Sequence, residues 1–236
     1  MDAAGYTTLT RQSGLMREMQ VVANNIANIS TTGFRREGVI FEEFIAGVDD
    51  GPSLSMANGN ARVVDLTQAG LSQTNAPFDF AIQGEGFFQI ETPDGERLTR
   101  AGSFTPSPNG ELMTHYGHRL LDQGGAPVFV PPNARKVAVA QDGTMSADGA
   151  PIARIGLWQP TDPLSLLHQS GTLFSAGAIE PAEGGIILQG YLEESNVSPV
   201  MEIARMIAVQ RAYELGQSFM DQEDKRTRGV IETLGR

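Results

Sequence analysis

"VVANNIANISTTGF", residues 21–34, begins as an apolar helix and then places three asparagines, Asn24, Asn25 and Asn28, close to the helix end. Asparagine is unfavourable inside an isolated helix because its side chain competes for backbone hydrogen bonds, so one interpretation is a gradual stop signal. The other is that the amides lie at a crowded helix interface and fix its register, as a buried asparagine does in a coiled coil. The second interpretation requires partner helices elsewhere in the chain or in its neighbours.

Apolar residues recur at helical spacing from Thr7 to Asn28, and several are seven residues apart, which is typical of a coiled-coil seam. The rows are Leu9, Met16 and Ala23; Gln12, Met19 and Ile26; and Leu15, Val22 and Ile29. Together the three rows form an apolar face wider than the one a two-stranded coiled coil buries, which implies more than one neighbouring helix. Residues 30–33 then supply a stop signal, with Gly33 suited to a left-handed C-terminal cap.

A second helix is predicted in "NVSPVMEIARMIAVQRAYELGQSFMDQEDKRTRGVIETLGR", residues 196–236. Ser198 is a suitable N-cap, and Pro199 fits the first helical position, where its missing N–H costs nothing. The seven-spaced rows here are Ile203, Gln210, Gln217 and Ile231, and Met206, Tyr213, Met220 and Leu234. We expect the two helices to pair as a coiled coil, with Gln210, Tyr213 and Gln217 as partners of the asparagines.

Between the helices, short apolar segments alternate with turn pairs that are typical of β-hairpins. The pairs are Asp94-Gly95, Asn109-Gly110, Gly124-Gly125, Asp142-Gly143 and Asp148-Gly149. The sequence therefore predicts an α+β fold with an N-terminal helix in residues 1–33, an extended connector in 34–77, an all-β domain in 78–192 and a C-terminal helix in 193–236. The connector prediction rests on few periodic apolar positions and on the turn residues Gly47, Gly51, Pro52 and Asn58-Gly59-Asn60.

Two paired helices would still leave at least half of their apolar rows in water. Ordering each helical residue costs about 1–2 kcal/mol of backbone entropy, whereas burying a large apolar side chain returns about 1.5–3 kcal/mol. We therefore expect both helical arms to be largely disordered in the free monomer. They would fold when neighbouring chains cover the remaining rows.

Composition excludes several classes of function. The 17 basic and 28 acidic side chains give a formal net charge of −11, which disfavours binding to nucleic acid or to an anionic membrane surface. No apolar run is long enough to span a membrane, and no Sec-type signal peptide is visible. The chain has no cysteine, so it has neither disulfides nor thiolate chemistry.

The sequence presents no catalytic, cofactor-binding or metal-binding constellation. His115 and His118 would point to opposite faces of a strand, and no third ligand accompanies them. "DQEDKRTRGVIE", residues 221–232, resembles a calcium loop only at its ends, because Lys225 takes a ligand position and Arg226 replaces the obligatory glycine. No serine lies in a Gly-x-Ser-x-Gly elbow. We expect no enzyme activity, no cofactor and no small-molecule substrate.

Four sequence blocks, in order, resemble the shared blocks of the flagellar rod and hook proteins. They are "ANNIANISTTGF" from Ala23, "FDFAIQGEGFFQI" from Phe78, "TRAGSFTPSPNGEL" from Thr99 and "NVSPVMEIARMIAVQRAYE" from Asn196. The resemblance covers nearly the whole chain, and the first block is short but highly specific. The opening "MDAAGYTTLTRQSGLMREMQ", the short length and the "SNVSPVMEIAR" block favour a proximal rod subunit over a distal one.

The resemblance implies a structural subunit of the bacterial flagellar basal-body rod, which crosses the periplasm. Family members pair their terminal helices as the inner tube of an axial assembly, surround it with a β-rich outer domain and leave the cell through the flagellar type III export apparatus. Expected partners are therefore that apparatus, copies of the chain and neighbouring rod proteins, without insertion into a membrane. The assembly motifs carried over by resemblance are Asn24, Asn25, Asn28, Gly33, Phe34, Gln210, Arg211, Ala212 and Tyr213.

Two further interpretations stay open. Another rod or hook protein of the same family, such as a distal rod subunit, shares the same blocks. A different class would be an exported enzyme or binding β domain whose terminal helices merely dimerise, although no acid/base set and no aromatic cluster around the single Trp158 supports it. The tail from Asp221 is also more charged than expected for the lining of a tube.

Overall fold

The computed structural model describes residues 3–46 and 54–234, with side chains for 7–40 and 62–233. The described chain is an α+β protein in which one long helix lies near each end and short strands lie between them. Three of the predicted connector turn residues, Gly47, Gly51 and Pro52, lie outside the described residues. So do residues 1–2 and 235–236 at the ends of the two predicted helical domains.

The two helices are α1, Ala3–Ala27, and α2, Pro199–Leu234. At 1.5 Å per residue they are about 37 Å and 54 Å long. The predicted start of α2 is confirmed, because proline's fixed φ suits the first helical turn and the N–H of Glu202 donates to the carbonyl of Ser198. α1 ends at Ala27, one residue before the predicted end, where the asparagine-rich segment turns away from the helix axis.

Eighteen strands and one short 3-10 helix, Pro163–Ser165, lie between the two helices in the described ranges. The strands are β1 Glu37–Ala46, β2 Leu54–Val64, β3 Leu71–Gln73, β4 Phe80–Gln83, β5 Phe88–Thr92, β6 Gly95–Thr99, β7 Thr105–Pro106, β8 Leu112–Met113, β9 Arg119–Leu120, β10 Val137–Val139, β11 Thr144–Ala147, β12 Ala150–Arg154, β13 Trp158–Pro160, β14 Leu167–His168, β15 Leu173–Ser175, β16 Ile179–Pro181, β17 Ile186–Gln189 and β18 Tyr191–Glu193.

The strands form one large sheet and several small ones. The large sheet has the order β14-β15-β6-β5-β9-β8-β7, and a three-stranded sheet has the order β10-β11-β12. Two-stranded sheets pair β1 with β2, β13 with β16, β17 with β4, and β18 with β3. The hairpin signals at Asp94-Gly95, Asn109-Gly110, Asp142-Gly143 and Asp148-Gly149 are confirmed, since each lies between adjacent antiparallel strands.

The described residues divide into two compact units. The first draws on Met1–Ala27, Glu37–Val63 and Ser198–Arg236, and the second on Asn28–Arg36 and Val64–Val197. The segment 34–77, predicted as an extended connector, contributes strands β1, β2 and β3. Asn58-Gly59-Asn60 lies inside β2 rather than in a turn, because pairing with β1 supplies the hydrogen bonds that a turn would otherwise provide.

The second unit has two apolar cores. The larger is built from inward-facing residues of the strands and their turns: Phe80, Ile82, Phe88, Ile90, Phe104, Leu112, Leu120, Val128, Val130, Met145, Ile155 and Ile187. The smaller consists of Val64, Phe87, Leu98, Leu166 and Phe174. Phe104 packs against Phe80 and Phe88 with ring centroids 5.9 and 5.7 Å apart. This unit therefore has the apolar burial that an independently stable domain needs.

Candidate assembly elements

The two helices pack against each other in the first unit, and three polar contacts give their direction. Gln12 Nε2 donates to the carbonyl of Tyr213 at 2.9 Å, Arg205 Nη2 lies 2.6 Å from Glu18 Oε1, and Asn25 Nδ2 donates to Glu202 Oε2 at 3.1 Å. Partner numbers in α2 fall as those in α1 rise, so the helices are antiparallel.

Burial shows which side of each helix takes part. On α2 the covered positions alternate three and four residues apart, as in a coiled-coil seam. They are Glu202, Met206, Val209, Tyr213, Gly216, Met220 and Glu223, and Ala212 beside Tyr213 is also half-buried. On α1 the seam side includes Gln12, Leu15, Glu18, Val22 and Asn25, all of which are buried.

The predicted assembly residues separate into two groups. Val22 is buried, and Met19, Ile26, Met206 and Tyr213 are half-buried. The others on the two helices are exposed in the single chain: Leu9, Met16, Ile203, Gln210, Arg211 and Gln217. The sequence missed the row of Glu202, Val209 and Gly216, because a carboxylate and a glycine hide its apolar character. Their three-four offset from Met206 and Tyr213 was the available signal.

Asn25 is a completely buried amide that joins three segments of the first unit. Its Nδ2 donates to the carbonyl of Glu37 at 2.9 Å and to the Glu202 carboxylate, and its Oδ1 accepts from the N–H of Glu37 at 3.0 Å. The first strand is thereby fixed to α1, and the first turn of α2 is fixed to both. The hypothesis that an asparagine here fixes register agrees with this geometry for Asn25.

The predicted partners of Asn25, namely Gln210, Tyr213 and Gln217, are wrong. In the antiparallel register the end of α1 meets the start of α2, which places Asn25 at Glu202, about two to four helical turns from those residues. Gln210 instead donates to Glu214 along its own helix, and the Tyr213 carbonyl accepts from Gln12. Asn24 is half-buried.

Asn28, Gly33 and Phe34 belong to the second unit. The hydroxyl of Thr31 donates to Asn28 Oδ1 at 3.1 Å, which closes the turn after α1. Gly33 does have a left-handed φ of 72°, but the predicted helix-capping role is wrong because α1 ends six residues earlier. Its N–H donates to the carbonyl of Glu193 at 2.8 Å, and Phe34 is fully buried against the ring of His168.

A buried charge cluster, which the sequence did not indicate, follows Phe34. Arg35 Nη2 lies 2.9 Å from Glu193 Oε1, and Arg100 Nε lies 3.2 Å from Glu193 Oε2, with the three side chains at most 3% exposed. Arg35 also donates to the carbonyl of Thr67, and Arg100 donates to that of Gly84 at 2.7 Å. One carboxylate thus holds together segments near 35, 100 and 193, which are distant in sequence.

Both guanidinium groups of this cluster stay charged at neutral pH. Burial lowers the pKa of Arg100 to about 10, with the Glu193 charge opposing and the Arg35 charge adding to the shift. Burial also lowers the pKa of Arg35, again opposed by Glu193. Two cations therefore share one anion, and the carboxylate of Glu193 is the group that makes their burial tolerable.

Among the side chains of residues 7–40 and 62–233, no three acidic or histidine groups approach closely enough to hold a metal ion. The ring of His115 packs edge-on against Tyr116 at 5.7 Å. No helix in the same part of the chain is long and apolar enough to cross a membrane.

Three family models match the chain in the order of its elements. One described as "Flagella basal body rod protein" matches residues 6–35. "Flagellar hook protein FlgE/F/G D1 domain" matches 81–147, and "Flagellar basal body rod FlgEFG protein C-terminal" matches 188–231. The first and third models cover the chain segments that contain most of α1 and α2, and the second covers strands of the large sheet.

Full-length relatives carry the same names. The flagellar basal-body rod protein FlgF of Caulobacter vibrioides is 39% identical over 100% of this chain and 99% of its own length. FlgF of Mesorhizobium japonicum is 38% identical over 98% and 97%. FlgG of Buchnera aphidicola subsp. Acyrthosiphon pisum is 32% identical over 88% of this chain and 90% of its own length.

The chain therefore belongs to the family of flagellar basal-body rod and hook proteins, whose members are structural. Within that family it is of the FlgF type, because the FlgF relatives match along their whole length at 33–39% identity. It is a structural subunit of the flagellar basal-body rod, and it assembles with other rod proteins. The predicted family is confirmed, and so is the prediction of a structural subunit of the basal-body rod.

Proposed function

We propose that the chain occupies the proximal rod and joins copies of itself and neighbouring rod proteins head-to-tail, through a heterologous interface that does not close into a ring. Its helices pair as a coiled coil in the wall of a hollow shaft, and its all-β domain locks neighbours laterally. The observation that supports this most is that helices from opposite ends of the chain pair in one unit while exposed apolar residues, such as Ile203 and Ile207, remain on α2.

The work of such a subunit is mechanical. Torque passes along the shaft because packed helices resist shear and twist, so the chain needs no catalytic group and no cofactor. The subunit would travel through the flagellar type III export apparatus without a cleaved signal and take its place in the rod across the periplasm. Its net charge of −11 disfavours nucleic acid as a partner.

Replacing Asn24, Asn25 and Asn28 together with alanine should reduce rod assembly and motility while the second unit stays folded. The expected cause is the loss of the Asn25 bonds, which leaves the main-chain groups of Glu37 and the Glu202 carboxylate buried without that partner. Motility in soft agar measures the first effect. Fluorescence of Trp158, which lies in the second unit, measures the second.

Gln222→Ala is the matched control for the asparagine variant, since it also removes an amide from one of the two long helices but at an exposed position. It should swim like the parent. Normal motility of the triple variant would contradict the role given to the asparagines, whereas loss of fluorescence-detected folding would mean that the effect is not specific to assembly.

Hydrogen exchange on the dilute protein should be fast over residues 3–27 and 199–234 and slow in the strands of the second unit. Much of α2 is exposed in the single chain, and few buried apolar contacts mean low local stability. Assembled rods should show protection over the same helices. Protection of both helices in the dilute monomer would instead favour a self-contained protein and revive the alternative of an exported binding or enzymatic domain.

A further inference from the structure

The face of α1 that points away from its seam with α2 carries a second regular row. Six exposed positions on this face alternate four and three residues apart, as the core positions of a coiled coil do. They are Leu9, Ser13, Met16, Gln20, Ala23 and Ala27, here called the α1 outer row. Leu9 and Met16, the two large apolar members of the row, are 51% and 44% exposed.

A groove follows the first half of this row. Its volume is about 470 Å³, and Leu9, Met16, Arg17 and Tyr213 contribute to its lining. At the edge of the groove, Gln12 is 6% exposed, and its Oε1 accepts no hydrogen bond in the part of the chain with described side chains. A buried amide oxygen without a donor is destabilising, so a partner that brings a donor into the groove would bind favourably there.

One row of α2 has the same spacing as the α1 outer row, with intervals of four, three, four, three and four residues. Its members are all exposed: Ile203, Ile207, Gln210, Glu214, Gln217 and Asp221, here called the α2 outer row. The first two members of this row are apolar, and the second half contains two carboxylates. Within one chain this row does not face α1, because the seam positions Glu202, Val209 and Gly216 do so.

We propose that the α2 outer row of a second copy docks antiparallel on the α1 outer row. This places Ala27 opposite Ile203, Ala23 opposite Ile207, and so on to Leu9 opposite Asp221. The inference rests on the proposed head-to-tail assembly and specifies which surfaces meet in it. Because the two rows differ, the interface is heterologous and each copy offers both surfaces, which is what the proposed open assembly requires.

Size and charge both favour the antiparallel direction. The large Ile203 and Ile207 face the small Ala27 and Ala23, which lets the helices approach closely and bury the isoleucines. At the other end Arg17 faces the side of the row that bears Glu214, so a cation meets a carboxylate. A parallel arrangement would place the isoleucines opposite Leu9 and Ser13, and Glu214 and Asp221 opposite Gln20 and Ala27.

Amides fill the middle of the predicted contact. Gln20 faces Gln210, and Ser13 faces Gln217, so each side offers donors and acceptors to the other. In this register Gln217 of the second copy lies opposite Ser13, and its side-chain amide is therefore next to Gln12 along the α1 axis. It can donate to the Gln12 oxygen once the second copy covers the groove.

Disulfide capture tests the register directly, because the natural chain has no cysteine to interfere. Cells would co-express two differently tagged copies, one with Ala23→Cys and the other with Ile207→Cys, and isolated basal bodies would be oxidised. The expected product is a mixed dimer that joins the two tags. Its yield should exceed by roughly fivefold that of a control in which Leu215→Cys replaces Ile207→Cys, since a disulfide forms only at short Cβ separation.

Leu215 is the matched control, because it is also an exposed apolar residue of α2 but lies outside the row. Equal yields from positions 207 and 215, or a dominant dimer of two Ala23→Cys copies, would overturn the docking proposal. If the docking proposal fails in this way but the tagged protein is still recovered in basal bodies of motile cells, the proposed role as a rod subunit stands. Absence of the natural, cysteine-free chain from basal bodies would instead overturn the proposed function itself.

A charge exchange gives an independent test without oxidation. Arg17→Glu should reduce motility by placing like charges opposite Glu214, and Glu214→Arg in the same chain should restore it, since every copy then carries the reversed pair. Failure of the second change to restore swimming would contradict the register, provided that the doubly changed chain reaches the basal body.

Discussion

Gly33→Ala should lower the free energy of unfolding of the second unit by about 3 kcal/mol. Two costs add at this position. A left-handed φ, here 72°, costs a residue with a Cβ about 1–2 kcal/mol, and forced overpacking costs about 1–3 kcal/mol more. The new Cβ would lie 2.5 Å from the carbonyl carbon of Arg100 and still closer to the N of Ala101. Both are main-chain atoms, so no side-chain rotation relieves the collision.

Urea unfolding followed by the fluorescence of Trp158 measures this loss, since the only tryptophan of the chain lies in the second unit. Gly117→Ala is the matched control. Gly117 also has a positive φ, of 82°, but a Cβ there would meet nothing within 4 Å. It should cost only about 1–2 kcal/mol, the conformational part alone. Equal losses in the two variants would show that the contact with Arg100 and Ala101 carries no cost.

Where local chemistry decides a structure, the sequence predicts it well. α2 begins at Pro199 because the fixed φ of proline suits a first helical turn, a preference that needs no distant partner. The hairpin at Asp148-Gly149 forms because both residues accept positive φ, at 51° and 88°. The order of helix, strands and helix follows from such signals added along the chain.

Where distant segments meet, the same signals fail. The seven-residue rows place Tyr213 in a seam but do not say whether the helices are parallel or antiparallel. They therefore predict Gln210 and Gln217 as hydrogen-bond partners of Asn25, whereas its partner is Glu202. Gly33 indicated a left-handed residue, yet its contact with Arg100 and Ala101 depends on a segment more than sixty residues away along the chain. The Arg35–Glu193–Arg100 cluster has no sequence signal at all, because isolated arginines and glutamates are usually on the surface.

Glu193→Gln should be the most destabilising single change at that cluster, with a loss of about 3–5 kcal/mol from the second unit. The carboxylate neutralises part of the charge of Arg35 and Arg100, which are 2% and 3% exposed, and accepts from the N–H of Ala69 at 3.0 Å. An amide of the same size leaves two cations in the interior without an anion. It also turns one acceptor into a donor that faces guanidinium donors.

Glu91→Gln is the control for this change, because Glu91 also pairs with an arginine, at 2.7 Å from Arg119, but at the surface. Exposed pairs contribute about 0–1 kcal/mol, so this variant should unfold almost like the parent. Urea unfolding followed by Trp158 fluorescence compares the two. A loss below about 1 kcal/mol for Glu193→Gln would mean that water reaches the two arginines and solvates them. The larger expected loss would show that one carboxylate holds the segments near 35, 100 and 193 together. The stability of the second unit would then depend on residues from its two ends, near 35 and near 193.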